Sequence, residues 1–145
     1  MTTMDLETEM LQHACKGDVY AIDFLRRAID YFHAADDVLD TVTDAEFKIR
    51  VMVMGQDLYA HPFFLKHAQA LNTALRTCIS TYADSVAWEG SREPVKRQWA
   101  DFARHVGVDL VLVVADICGG WEHRRQVSLE VRSYNLACAE SEKGN

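Results

Sequence analysis

The 145-residue chain has two prolines, seven glycines and four cysteines, and each scarcity excludes something. So few prolines and glycines leave little of the punctuation that a chain of many short strands needs. Strict apolar–polar alternation over a strand's length is also missing. The cysteines, Cys15, Cys78, Cys118 and Cys138, lie far apart without CxxC spacing and fall inside helical patterns. They read as reduced core thiols of a cytoplasmic protein rather than as a disulfide framework or a zinc site. The most apolar stretch, residues 106–118, is about a dozen residues long and interrupted by Asp109 and Asp116, short of the roughly 20 that cross a bilayer. The acidic start MTTMDLETEM has no basic, then apolar, secretory pattern, so a soluble protein with no membrane role is expected.

Basic excess is missing as well. The formal charge is −7, which leaves no footprint for broad contact with nucleic-acid phosphates. The imbalance is local: residues 1–46 carry eleven acids and three bases, whereas residues 47–145 carry eleven acids and twelve bases. An interaction face for a basic surface would therefore lie in the first third.

What is present is helical periodicity almost throughout, which predicts an all-α, single-domain antiparallel bundle of five to six helices. The expected helices cover residues 5–15, 18–40, 44–58, 62–88, 94–118 and 121–140, with a loose tail from 141. Gly17 suits the left-handed position after the first helix, and Asp18 caps the second. Thr43 and Glu46 have capping-box spacing, Pro62 and Pro94 open helices, and Gly119-Gly120 ends one. Ile22, Leu25, Ile29, Phe32 and Leu39 form one predicted core stripe. Leu65, Ala68, Leu75, Ile79, Tyr82 and Val86 form another, with Asn72 as a core amide inside it. Residues 106–118 are apolar nearly all round and belong at the centre. Trp88, Trp99 and Trp121, near helix ends, are expected to close the core.

Against that background Asp36-Asp37-Val-Leu-Asp40 stands out. At 100° per residue Asp36 points into the middle of the Leu25–Ile29–Phe32–Leu39 stripe, Asp40 lies 40° further round, and His33 is on the same side. An unpaired interior charge is costly, so these groups call for a metal, a cation or water. Three carboxylates near a helix C-terminus also oppose the macrodipole. The DDxxD shape near the end of a long helix resembles the first aspartate-rich motif of class I isoprenoid diphosphate and terpene synthases. That resemblance implies Mg²⁺ held by Asp36, Asp40 and, secondarily, Asp37, gripping a diphosphate. A second acidic wall would come from Asp109 and Asp116, on one side of their helix with Gln98 and His105. Arg97, Arg104, Arg124 and Arg125 would hold the anion. Arg27 and His33, spaced R-x5-H, also resemble the motif of HEPN-type ribonucleases, which implies RNA cleavage by that pair.

Two readings result. The favoured one is a non-enzymatic acidic module, without cofactor, that binds a basic protein partner through its first third, Asp23 and Asp30 standing off the apolar stripe as contact residues; a homodimer is open to it. The alternative is a Mg²⁺-dependent bundle enzyme acting on a diphosphate or phosphate ester. No nucleophile with its base and no phosphate-cradling glycine loop is visible.

Overall fold

A computed structural model describes residues 2–41 and 43–143, in which every regular element is helical and no strand occurs, so the fold is all-α. The first helix, α1 (Thr3–Ala14), opens with a capping box between Thr2 and Asp5, a polar pair at the chain start that the periodicity alone passes over. It ends where Lys16 and Gly17 take left-handed φ of 50° and 76°, and the Gly17 N–H returns to the Gln12 carbonyl. The helix α2 (Val19–Asp40) is capped by the Asp18 carboxylate, which accepts from the N–H groups of Tyr20 and Ala21.

In α3 (Ala45–Ala60) the expected Thr43 capping box is replaced. The cap is Asp44, whose carboxylate accepts from Phe47 N–H at 2.7 Å, and the Thr43 hydroxyl has no partner. A longer carboxylate one residue later reaches the free amide better than the threonine does. The predicted helix over 62–88 is two: α4 (Pro62–Lys66) and α5 (Ala68–Trp88), divided at His67. Residues 94–118 are likewise divided, into α6 (Pro94–Ala103) and the start of α7 (Gly107–Lys143). The second division of this region, at Gly120 with φ 86° and ψ 179°, lies inside α7 where the glycine pair predicts it.

One core cluster joins these elements. Its centre is the first part of α7, where Val108, Leu110, Val111, Leu112, Val114 and Ala115 are buried and Val113 is half-buried. After Gly120 the chain runs along α1. His123 Nε2 donates to the Ala14 carbonyl at 2.9 Å, Tyr134 donates to Glu7 at 2.9 Å, and Val127 and Val131 are buried.

One predicted stripe shifts and another ends early. Because α5 begins after a break, its register follows Leu71, Leu75, Cys78 and Ser85, while Leu65, Ile79 and Val86 are exposed and Asn72 faces out. The stripe of α2 is kept through Ile22 and Leu25, which are buried, and Ile29 and Phe32, which pack half-buried against the core, but Leu39 at its end is 59% exposed. At Tyr31 α2 leans on α3, where Gly55 lies so close to the Tyr31 ring that a Cβ would sit 3.1 Å from it. Trp99 and Trp121 are exposed rather than closing the core, and Trp88 is half-buried. Among the described residues no helix is long and apolar enough to cross a membrane.

Leu112 is 2% exposed at the centre of the cluster. Leu112→Ala should therefore cost about 2–5 kcal/mol of stability, by lost burial and by the cavity left behind. Urea unfolding should show the midpoint falling at unchanged slope, and a change near zero would contradict the central placement of α7.

Candidate functional site

The overhanging end of α2 forms one wall of a cleft of about 200 Å³, lined by Asp36, Asp40, Tyr82, Ser85, Glu89 and Arg104, with Val86 at its edge. The cleft exists because α2 and α5 do not pack backbone to backbone: among the described residues their Cα atoms nowhere come within 8 Å. The Tyr82 side chain spans the gap and its hydroxyl donates to Asp36 Oδ1. Ser85, buried one turn on, donates from Oγ to the Tyr82 carbonyl at 2.6 Å and holds that turn of α5 against the core. Arg104 caps the end of α6 and reaches the mouth of the cleft, where its guanidinium donates to Glu89 at 2.6 Å.

The electrostatics follow from that arrangement. Asp36 and Asp40 sit one turn apart on the same helix face, half-buried and exposed respectively. The Asp40 carboxyl is held above its ordinary range, first by desolvation, then by the negative charge of Asp36 and a hydrogen bond with it, then by Glu89, with Arg104 opposing. Burial, followed by the hydrogen bond to Asp36, pushes the Tyr82 phenol up, so it stays a donor at physiological pH. The cleft therefore holds three carboxylates against one guanidinium, and that guanidinium is engaged by the third.

The other expected site residues do not join this cleft. Asp37 is exposed, and its carbonyl, not its carboxylate, accepts from the Thr41 N–H and hydroxyl that close α2. The second acidic wall is not built. Asp109 lies 3.8 Å from Arg132 and Asp116 lies 3.5 Å from Arg124, both pairs partly exposed. The reason is the turn at Gly120, after which the chain folds back and brings Arg124 and Arg132 to these two acids. His105 is bonded to Asn135 at 2.7 Å. The arginines are dispersed as well: Arg97 donates to the Ser91 carbonyl, Arg125 stacks 5.0 Å from the Trp121 ring centroid, and Arg104 alone of the expected four lines the cleft. Among the described residues no three His, Cys, Asp or Glu side chains gather where they could hold one metal ion.

Asp23 has a structural task instead of a free face. Its carboxylate accepts from Arg27 Nε at 2.9 Å and from Nε2 of the buried His61 at 2.8 Å, while His61 Nδ1 accepts from Phe63 N–H and caps α4. Both donors hold the Asp23 carboxyl below its ordinary range, His61 first. Arg27 is taken up by Asp23 and His33 is exposed, while Asp30 stands exposed on α2.

Tyr82, Ser85 and Glu89 are the cleft residues that sequence reasoning missed. Tyr82 falls in an apolar stripe, and the available signal was its hydroxyl, which needs a partner wherever the ring is covered. Comparison with protein-family models, characterised proteins and solved structures gave no match.

The two kinds of carboxylate predict opposite pH signatures. Folding raises the Asp40 value, so its favourable contribution is complete below the ordinary carboxylate value of 3.8 and is lost as pH rises through the folded value. Asp40→Asn should therefore raise Tm by about 2 °C at neutral pH, with the gain closing in acid. For Asp23 the shift is downward, so its contribution is present at neutral pH and is lost as pH falls through the folded value. Asp23→Asn should lower Tm at neutral pH, and the loss should shrink in acid. Thermal melts from pH 3 to pH 8 check both signs, and equal pH profiles for the two variants would contradict the assignment.

Proposed function

We propose that this chain is a non-enzymatic helical module that binds a protein partner, and that the cleft between α2 and α5 receives a basic side chain of that partner. The observation that carries this reading is the uncompensated pair Asp36 and Asp40: the cation within reach, Arg104, is committed to Glu89. An incoming guanidinium or ammonium would offset the negative charge of Asp36 which, after desolvation, holds the Asp40 carboxyl up, and a planar guanidinium can be met by two carboxylates at once. The exposed Asp30 and Asp37 extend the negative field along α2 and would raise the association rate with a basic surface. Leu39, 59% exposed beside Asp40, and Val86, 38% exposed at the cleft edge, supply apolar contact next to the charge.

The experiment uses a short synthetic arginine-rich peptide as probe, with a glutamate-rich peptide of equal length as control, and measures binding by calorimetry at two salt concentrations. Binding of the basic peptide should weaken with salt and weaken about tenfold for Asp36→Asn combined with Asp40→Asn. Asp30→Lys should slow association and leave dissociation almost unchanged. Indifference of the basic peptide to the double substitution would overturn the cleft assignment. A Tm rise with Mg²⁺ that disappears in the double variant would favour the metal-dependent alternative instead.

A further inference from the structure

The helix α3 is apolar on two opposite faces, and the fold uses one of them. Among the described helices its Cα atoms come within 8 Å only of α2 and α4. The inward face carries Val51 and Leu58, which are buried, with Phe47 and Met54 half-buried beside them. On the opposite side Ala45, Ile49, Met52, Val53 and Ala60 are exposed, with Gln56 the polar side chain among them, and at 100° per residue the six fall within an arc of about 100°. Met52, near the middle of this strip, is 74% exposed. A helix with solvent on its outer side is ordinarily polar there, and an apolar strip running the length of α3 marks a contact surface.

The charges along the edges of the strip indicate what covers it. One edge carries Glu46, Arg50 and Asp57, the other Lys48 and Tyr59, and all five are exposed. Among the described residues none of the four charged groups is in an ion pair, and the Arg50 guanidinium lies over the Phe47 ring, 5.9 Å from its centroid. When two copies of one helix pair antiparallel about a two-fold axis, each edge meets the same edge of the other copy. With that axis level with the Val53–Met54 peptide bond, Arg50 comes level with Asp57 of the second copy, and Lys48 with Tyr59. The same register sets Ile49 between Gln56 and Ala60 of the second copy and brings Met52 against Val53. A parallel pairing would instead join the two unlike edges and set Arg50 beside Lys48.

We propose that the outer face of α3 is a self-association surface, on which two copies of this chain pair antiparallel through Ile49, Met52 and Val53. Arg50 of each copy meets Asp57 of the other, and Lys48 lies against the Tyr59 ring, where a cation is attracted by the face of the aromatic. Glu46, one turn before Arg50 on the same edge, supports the guanidinium from its own copy. Each contact occurs twice, as a two-fold interface requires, and every group the interface needs is supplied by the face itself. Burial of the strip drives the association, while the edge charges fix direction and register. Asp36 and Asp40 take no part, so the pairing stands or falls independently of the cleft.

The full chain is followed by sedimentation velocity between roughly 1 and 500 μM, where an interface of one helix pair should dissociate. A monomer–dimer equilibrium is expected. Met52→Glu should be monomeric throughout and keep the helical circular dichroism of the wild type, since the side chain is exposed in the single copy. Arg50→Asp and Asp57→Arg should each weaken the dimer about tenfold, because each sets like charges opposite one another twice. Mixed together, the two single variants should pair with each other at near the wild-type affinity, and so should the chain carrying both substitutions with itself. A wild-type chain that stays monomeric throughout would overturn the proposal and leave the strip to a different protein. A dimer that survives Met52→Glu, or single variants that fail to rescue one another, would overturn it as well.

Discussion

The rest of the molecule is arranged around one constraint, the burial of nearly the whole circumference of the first part of α7, where Asp109 and Asp116 mark the strip that reaches solvent. Val108, Leu110, Val111, Leu112, Val114 and Ala115 lie within eight residues and all are buried, so they cover most of the circumference of the helix. Each large side chain among them stabilises by about 1.5–3 kcal/mol when enclosed, and enclosure on several sides needs several partners. α1 and α5 and the first half of α2 supply them. A straight continuation of α7 would carry the charged segment past those partners. At Gly120 the backbone turns instead, and residues 121–143 double as the cover for α1.

The cleft follows from what that centre leaves over. α2 has 22 residues, about 33 Å of helix, but its buried positions end at Ala28. Ile29, Tyr31 and Phe32 still pack half-buried against the core, and only the last turns extend past it; α3 supports this part of the helix on one side, with the tight Gly55–Tyr31 contact fixing that approach. Across the cleft from α5, Tyr82 reaches these turns and its hydroxyl donates to Asp36. The gap stays open to water, so carboxylates are tolerated at Asp36 and Asp40, where the helical period calls for apolar residues.

The all-α class, the central segment, the caps at Asp18, Pro62 and Pro94 and the break at Gly119-Gly120 were legible because each rests on local chemistry or on a period that runs unbroken. Two of the errors share one physical origin. A period read across His67 and across residues 104–106 assumes a continuous helix, and each break rotates the buried face of the next helix. Extending the stripe back to Leu65 put Ile79 and Val86 inside in place of Cys78 and Ser85, and joining α6 to α7 aligned Gln98 with Asp109 and Asp116 as one acidic wall. The DDVLD carboxylates were visible as an anomaly, but not their partners. Tyr82, Glu89 and Arg104 reach them only through tertiary placement, and Tyr82 is 46 residues from Asp36 along the chain.

Asp23 and Asp40 show why the proposed binding surface is read from the anomaly and not from the charge count. Both lie on α2 and add equally to the acidity of the first third. Asp23 meets two donors, one of them the buried His61 that starts α4, so its charge is used up inside the fold and its loss weakens a cap. Asp40 meets another acid and a guanidinium already held by Glu89, so folding leaves its charge uncompensated. A cation arriving from outside adds little to the first and removes a repulsion at the second. Differential compensation of this kind, more than net charge, distinguishes a carboxylate that holds the protein together from one that is available to a partner.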